Sequence, residues 1–207
     1  MSRLRLLVAV VVLGVGLIMP STLLATPSIC DAIAGNLVSN CGFETGNFTD
    51  WTTVTASSGS DFGVGFSGSP NSGSYWAGFG GVSVGYYDTI SQMLTTQSGY
   101  DYTLSFWLAN LEGTPEGDFE VSWDGVEVLD VPSTNAFGYT DYTLNLIGTG
   151  SDTLSFAGYQ VPSWYDLDDI SVVSIGPVTA VPEPSSLLLL GTGLAGLVGA
   201  VRRRVRL

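Results

Sequence analysis

Histidine and lysine are absent from this 207-residue sequence, and arginine is confined to its ends. The six basic residues are Arg3, Arg5, Arg202, Arg203, Arg204 and Arg206, whereas all 19 acids lie between residues 6 and 201. Each absence excludes a class of chemistry. Without histidine there is no Ser-His-Asp or Cys-His arrangement and no zinc site built on imidazole. Without a positive side chain the middle of the chain forms no internal salt bridge. It also has nothing with which to neutralise phosphates, so nucleic acid is excluded as a partner. Carboxylates crowded together without counter-charge repel one another, and a divalent cation is their natural relief. The same acids also suit a solvated surface that keeps the protein dispersed. An enzyme on this chain would need paired carboxylates, as glycosidases do, and no positioned pair is readable from the sequence.

Cysteine is scarce too: only Cys30 and Cys41 occur. The N-terminus reads as an export signal over residues 1–25, expected as a signal-peptide helix. Arg3 and Arg5 form its positive start, and residues 6–19 are an apolar run too short for a membrane span. Pro20 and small residues follow, with cleavage placed after Ala25. A second small-residue match, Ala32-Ile33-Ala34, lies far from the apolar run and would discard Cys30. Export makes a Cys30–Cys41 disulfide the expected state rather than two thiols. Closing a loop of this length stabilises by about 3 kcal/mol in the chain-entropy model.

Gly, Ser, Thr, Tyr and Asp dominate the middle, a composition that favours sheet over helix. Residues 36–175 contain many short alternating runs. In "YTLSFWLAN", Leu104, Phe106 and Leu108 share one face, with Thr103, Ser105 and Trp107 on the other. In "DFEVSWDGVEVL", Phe119, Val121 and Trp123 alternate with Glu120 and Ser122, and Asp124-Gly125 supplies a two-residue hairpin turn. "DYTLNLIG" places Tyr142, Leu144 and Leu146 together, and "DTLSFAG" and "LDDISVV" continue the pattern. Segments such as "SGSPNSGS" punctuate the runs. The expected fold is all-β, an antiparallel β-sandwich over residues 26–175. A proline-bearing linker follows at 176–181.

The chain ends "VPEPSSLLLLGTGLAGLVGAVRRRVRL". Residues 187–201 carry no charge, and as a helix they would span about 22 Å against roughly 30 Å of hydrocarbon. Their small residues suit close helix contact in a membrane. The arginines belong on the cytoplasmic side, which places the acidic middle outside.

This order of "VPEP", apolar segment and arginine cluster resembles the PEP-CTERM sorting signal of Gram-negative bacteria. The resemblance covers residues 181–207. It implies that Pro182, Glu183 and Pro184 are recognised by exosortase, a membrane cysteine protease-transpeptidase. It implies further that residues 182–207 are a transient inner-membrane helix, and that the protein is associated with exopolysaccharide and biofilm. The middle is similar to carbohydrate-binding-module-like, or galactose-binding-like, jelly rolls. "NLVSNCGFETGNFTDWT" resembles their opening, "YDLDDISV" their closing strand, and "ISQMLTTQSGYDYTLSFWLAN" the central strands of PEP-CTERM proteins of this type.

The jelly-roll resemblance implies a structural Ca²⁺ joining first and last strands. Glu44 matches the acidic ligand after "GF". Asp168 matches the aspartate that opens the final strand, and Asp169 is its neighbour. Period-two geometry would place Asp168 on the face of Ile170 and Val172, where a bare charge is costly. A solvated rim or turn-capping role is the alternative for these acids. Sugar binding requires exposed flat rings, and Trp107, Tyr75, Trp76, Trp164 and Tyr165 are the candidates. Trp51 and Trp123 are expected in the core. Together with these resemblances the features point to an exported, noncatalytic surface or matrix protein associated with or binding exopolysaccharide. A purely structural envelope protein and a carboxylate-based glycan hydrolase are the alternatives.

Overall fold

The computed structural model describes residues 26–56, 59–65, 68–81, 83–113, 116–132 and 135–178, with the isolated positions 192 and 194. The signal-peptide helix, the sorting motif Pro182, Glu183 and Pro184, and the four C-terminal arginines lie outside the described residues, as does nearly all of the apolar run 187–201. Among the described residues no helix is long and apolar enough to cross a membrane.

The described chain is an all-β sandwich. Its strands are β1 (Thr52–Val54), β2 (Asp61–Val64), β3 (Ala77–Gly80), β4 (Asp88–Leu94), β5 (Tyr100–Asn110), β6 (Gly117–Trp123), β7 (Val126–Asp130), β8 (Phe137–Ile147), β9 (Asp152–Gln160) and β10 (Tyr165–Pro177). Two five-stranded sheets form, ordered β1-β4-β9-β6-β7 and β2-β3-β10-β5-β8. All pairings are antiparallel. Alternation explains the layers. Leu104, Phe106 and Leu108 of β5 are fully buried, while Thr103, Ser105 and Trp107 between them are only half-buried. On the facing sheet Phe119, Val121 and Trp123 of β6 are buried. The β6–β7 hairpin turns at Asp124 and Gly125, whose φ values of 53° and 75° suit the mirror-image turn that matches strand twist.

Aromatic rings join the two layers. Phe106 meets Phe156 edge-on at 5.2 Å, and Phe79 meets Phe119 edge-on at 5.3 Å. Burying each such side chain contributes about 1.5–3 kcal/mol, which makes this cluster the main stabilising element of the sandwich. Trp51 and Trp123 join the same core.

The segment before β1 is tied to β10. Leu37 N–H donates to Val172 O at 3.0 Å, and Ile170 N–H donates to Cys41 O at 3.0 Å. Cys30, in a single 3₁₀ turn (Ile29–Ala32), is disulfide-bonded to Cys41 with a Cα–Cα distance of 6.1 Å. Replacing both cysteines by serine is expected to lower unfolding free energy by about 3 kcal/mol in denaturant titration. Reduction of the unmodified protein should reproduce that loss. An unchanged midpoint would show that the bridge adds nothing beyond the contacts with β10.

Candidate functional site

The candidate site forms where three pieces of chain meet: the disulfide-bonded N-terminal segment, the loop around residues 68–76, and the start of β10. Its geometry depends on one irregularity. Asp168 pairs with Trp107, yet Ser171 pairs with Ser105, so β10 holds one more residue than β5 in this interval. Asp169, at φ 52°, lies in this bulge. Leu167 before it and Ile170 and Val172 after it all enter the core. Asp168 instead shares the outer face with Trp107. The expectation that Asp168 lies on the face of Ile170 and Val172 is therefore corrected, because the extra residue shifts the period-two phase.

Outward orientation does not expose Asp168. It is 0% exposed and Asp169 3% exposed, because the N-terminal segment and the loop cover them. Asp168 Oδ2 accepts the backbone N–H groups of Asn71 at 2.8 Å and Ser72 at 3.2 Å, and Oδ1 accepts that of Asp169 at 2.8 Å. Asp169 Oδ1 accepts the hydroxyls of Ser28 and Ser72, each at 2.7 Å, and Oδ2 accepts the Asn71 amide at 2.7 Å. Across the loop Glu44 Oε1 accepts the N–H groups of Ser74 at 2.8 Å and Tyr75 at 3.1 Å. Two glycines allow this closeness. A Cβ at Gly73 would overlap Glu44 Oε1, and one at Gly42 would overlap the Ser28 side chain. The run "SPNSGS", legible only as a turn, is thus held from both sides by carboxylates.

The electrostatics are unbalanced. Burial, then the neighbouring Asp169 charge, pushes the Asp168 carboxyl up to about 8. Burial pushes Asp166 up to about 7. Tyr139 is raised by burial and by Asp166, Asp168 and Asp169. No basic residue lies between positions 6 and 201 to offset these charges. Glu44 Oε2 is buried with no hydrogen-bond partner. Oxygen-only donors and an orphaned carboxylate oxygen suit a hard cation such as Ca²⁺. Glu44, Asp168 and Asp169 are not drawn into one tight cluster, however. Among the described residues the acid or cysteine group converging within 4.8 Å is Cys30, Asp31 and Cys41, whose sulfurs form the disulfide.

The five candidate aromatics separate by burial. Trp107 is half-buried on the outer face, between Asp168 of β10 and Asp141 of β8 in register. Ser105 on the same face donates to Asp141 Oδ1 at 2.7 Å, and exposed Thr143 pairs with Ser105. Tyr75 is 37% exposed and its ring lies along Gly46. Trp164 is half-buried, with its ring against Gly80. Tyr165 is withdrawn from the sugar-contact set: it is 0% exposed, packs on Phe119 and donates its hydroxyl to Val131 O at 3.0 Å. Trp76 is likewise withdrawn, because it is buried and hydrogen-bonded to Asp166. Beside β4 lies a cleft of about 350 Å³, lined in part by Leu37, Asp50 and Gln92. It contains no aromatic ring, and the Gln92 amide donates to the carbonyls of Ser39 and Asp50.

Comparison with known proteins bears on both halves of the chain. No curated protein matches the sequence. Among solved structures, TmCBM61 in complex with β-1,4-galactotriose is 20% identical with a TM-score of 0.55, covering 67% of this chain and 98% of that one. The enzymatically active domain of tailspike protein 4 from bacteriophage CBA120 is 18% identical with a TM-score of 0.52, covering 68% of this chain and 21% of that one. These likenesses show the fold, a jelly-roll sandwich of the carbohydrate-binding-module type. Residues 180–204 match the PEP-CTERM protein-sorting motif. The chain therefore carries a PEP-CTERM sorting motif behind a carbohydrate-binding-module-like sandwich.

Proposed function

We propose that this chain is an exported, noncatalytic protein that exosortase sorts to the cell envelope or extracellular matrix, where its sandwich binds exopolysaccharide. The observation that carries this reading is the presence of both parts on one chain: a sorting motif at 180–204 and a carbohydrate-binding-module-like fold. Residues 1–25 direct export, 26–175 form the working domain, 176–181 are the linker and 182–207 the removable signal. Ca²⁺ bound through Asp168 and Asp169, with Glu44 on the other side of the loop, is a structural part of the domain. The orphaned Glu44 Oε2 and the uncompensated buried acids support it.

Trp107 is the main sugar-stacking ring, with Asp141, Ser105 and Thr143 offering polar groups along the same face. Tyr75 and Trp164 are the further candidates. The noncatalytic reading is supported by the site acids themselves. Asp168 and Asp169 are buried beneath the N-terminal segment and the loop and spend their oxygens on hydrogen bonds to them, which does not suit a carboxylate pair that must meet a glycosidic bond.

The full chain is expected to be retarded in gels containing the exopolysaccharide of the cell that makes it, with β-1,4-galactan as a second probe. Trp107→Ala should weaken that binding by about 30-fold, the equivalent of about 2 kcal/mol for an anchoring tryptophan. Unretarded migration on every polymer would favour a purely structural protein. Shortening of the polymer would overturn the noncatalytic assignment.

A further inference from the structure

β1, β7, β2 and β8 stand at the edges of the two sheets, and the first three are poor templates for another chain. β1 has 3 residues and β2 has 4. β7 carries Glu127 and Asp130, and Asp130 already faces Glu120 across the hairpin, so a strand added there would meet a row of acids. β8 differs. It runs for 11 residues without a proline or a basic side chain, and Asp141 is its one acid. From Thr140 to Ile147 the side of β8 toward β5 is paired, and among the described residues no strand pairs with its other side. Every second residue there turns its N–H and C=O away from β5, an arrangement that a further strand completes. The core is also open along this edge. Tyr142, stacked on Phe106 at 5.4 Å, and Leu144 both pack against the core yet stay half-buried.

We propose that two copies of this chain pair antiparallel along β8, about a two-fold axis through Thr143, so that their sheets continue into one. Directly opposed side chains of an antiparallel pair share a face, so a symmetric joint must centre on a residue and not between two. Centred on Thr143, Asp141 of each copy faces Asn145 of the other, and Tyr142 faces Leu144. No like charges meet, and each carboxylate meets an amide donor. Asp141 Oδ1 accepts the Ser105 hydroxyl at 2.7 Å, and its Oδ2 is the oxygen that the Asn145 amide of the second copy reaches. Tyr142 and Leu144 cover one another across the joint and close the open edge of the core. Centring on Asp141 instead would set two carboxylates face to face. The contact is isologous and closes at two copies, because no other edge matches it. It does not rest on sugar binding. Where Trp107 does bind sugar, the joint places two such rings on one continuous face.

The test is sedimentation velocity of the full chain in density-matched detergent, over a concentration series that brackets about 10 µM, the order of dissociation constant that suits so small a joint. Cysteine cross-linking runs alongside. Asn145→Asp sets a carboxylate opposite Asp141 twice and should weaken the dimer by about 10-fold or more. Asn145 is exposed, so this change leaves the fold in place. Adding Asp141→Asn to it exchanges the two roles, and the doubly substituted chain should dimerise again. Thr143→Cys should join two copies on mild oxidation, because paired Cβ atoms lie about 5 Å apart, whereas Glu127→Cys on β7 should not. A chain that stays monomeric at the highest concentration overturns the proposal. So does a dimer that Asn145→Asp leaves intact, which would place the contact elsewhere, the apolar run 187–201 included. A dimer that is lost in Asn145→Asp and not regained in the doubly substituted chain overturns the register and with it the proposal.

Discussion

Chelating calcium near pH 8 is expected to lower the melting temperature of this protein by about 10 °C, and near pH 5 by far less. The direction follows from the buried acids. Asp168 is raised from 3.8 to about 8 in the folded state. An acid raised in this way holds its proton more tightly when folded. Its contribution to stability is present below the unfolded value and is lost as pH rises through the folded one. Between about pH 4 and pH 8 the chelated protein therefore loses on the order of 5 kcal/mol through Asp168. Asp166, raised to about 7, adds to the loss in the same direction. On the proposed reading, calcium would bind the ionised form and so remove the penalty where it is largest. Differential scanning calorimetry across this pH range, with and without chelator, is the check. Melting temperatures indifferent to chelator at every pH would contradict a cation at these acids. So would a chelator effect that grew toward low pH.

The second large effect concerns the tail. Replacing Pro182, Glu183 and Pro184 together by alanine is expected to leave nearly all of the protein as uncut precursor in the membrane fraction. Proline removes a backbone donor and disfavours helix in the residue before it, whereas alanine is the best helix former, so the substitution changes the chemistry and backbone preference of the motif itself. On the proposed reading, the run would need only to hold the motif at the outer surface until it is cut, and a length of about 22 Å as a helix would serve where a lasting anchor needs about 30 Å. Immunoblotting of membrane and extracellular fractions reads the outcome. Normal release of the triple-alanine variant would separate release from this motif.

Much of the sandwich is legible in the sequence because alternation is strict where both faces are constrained. Leu104, Phe106 and Leu108 had to share the core, and Asp124-Gly125 had to turn a hairpin. The bulge at Asp169 is different. One inserted residue leaves the local composition of "LDDISVV" unchanged while reversing which side chains face out, so a period-two reading carries straight through it. The acids of the site were only partly legible for the same reason. Glu44, Asp168 and Asp169 are identifiable from the resemblance of their flanking residues to jelly-roll strands. Ser28, Asn71 and Ser72 are not, because they act through loop backbone and hydroxyls that any turn contains. Asp166 left one trace, an acid two positions before another acid in a strand otherwise headed for the core. Tyr165 and Trp76 show the limit for aromatics: adjacency to a loop does not reveal whether a ring turns inward.

All of these features assume that the sandwich works outside the cell after its tail is gone. Mass analysis of the C-terminus of the extracellular protein, taken from the cell that makes it, tests this most directly. The expected result is a chain ending near Pro182, Glu183 and Pro184, with Arg202, Arg203, Arg204 and Arg206 missing. An extracellular chain that still ends in Arg206 and Leu207 would contradict it.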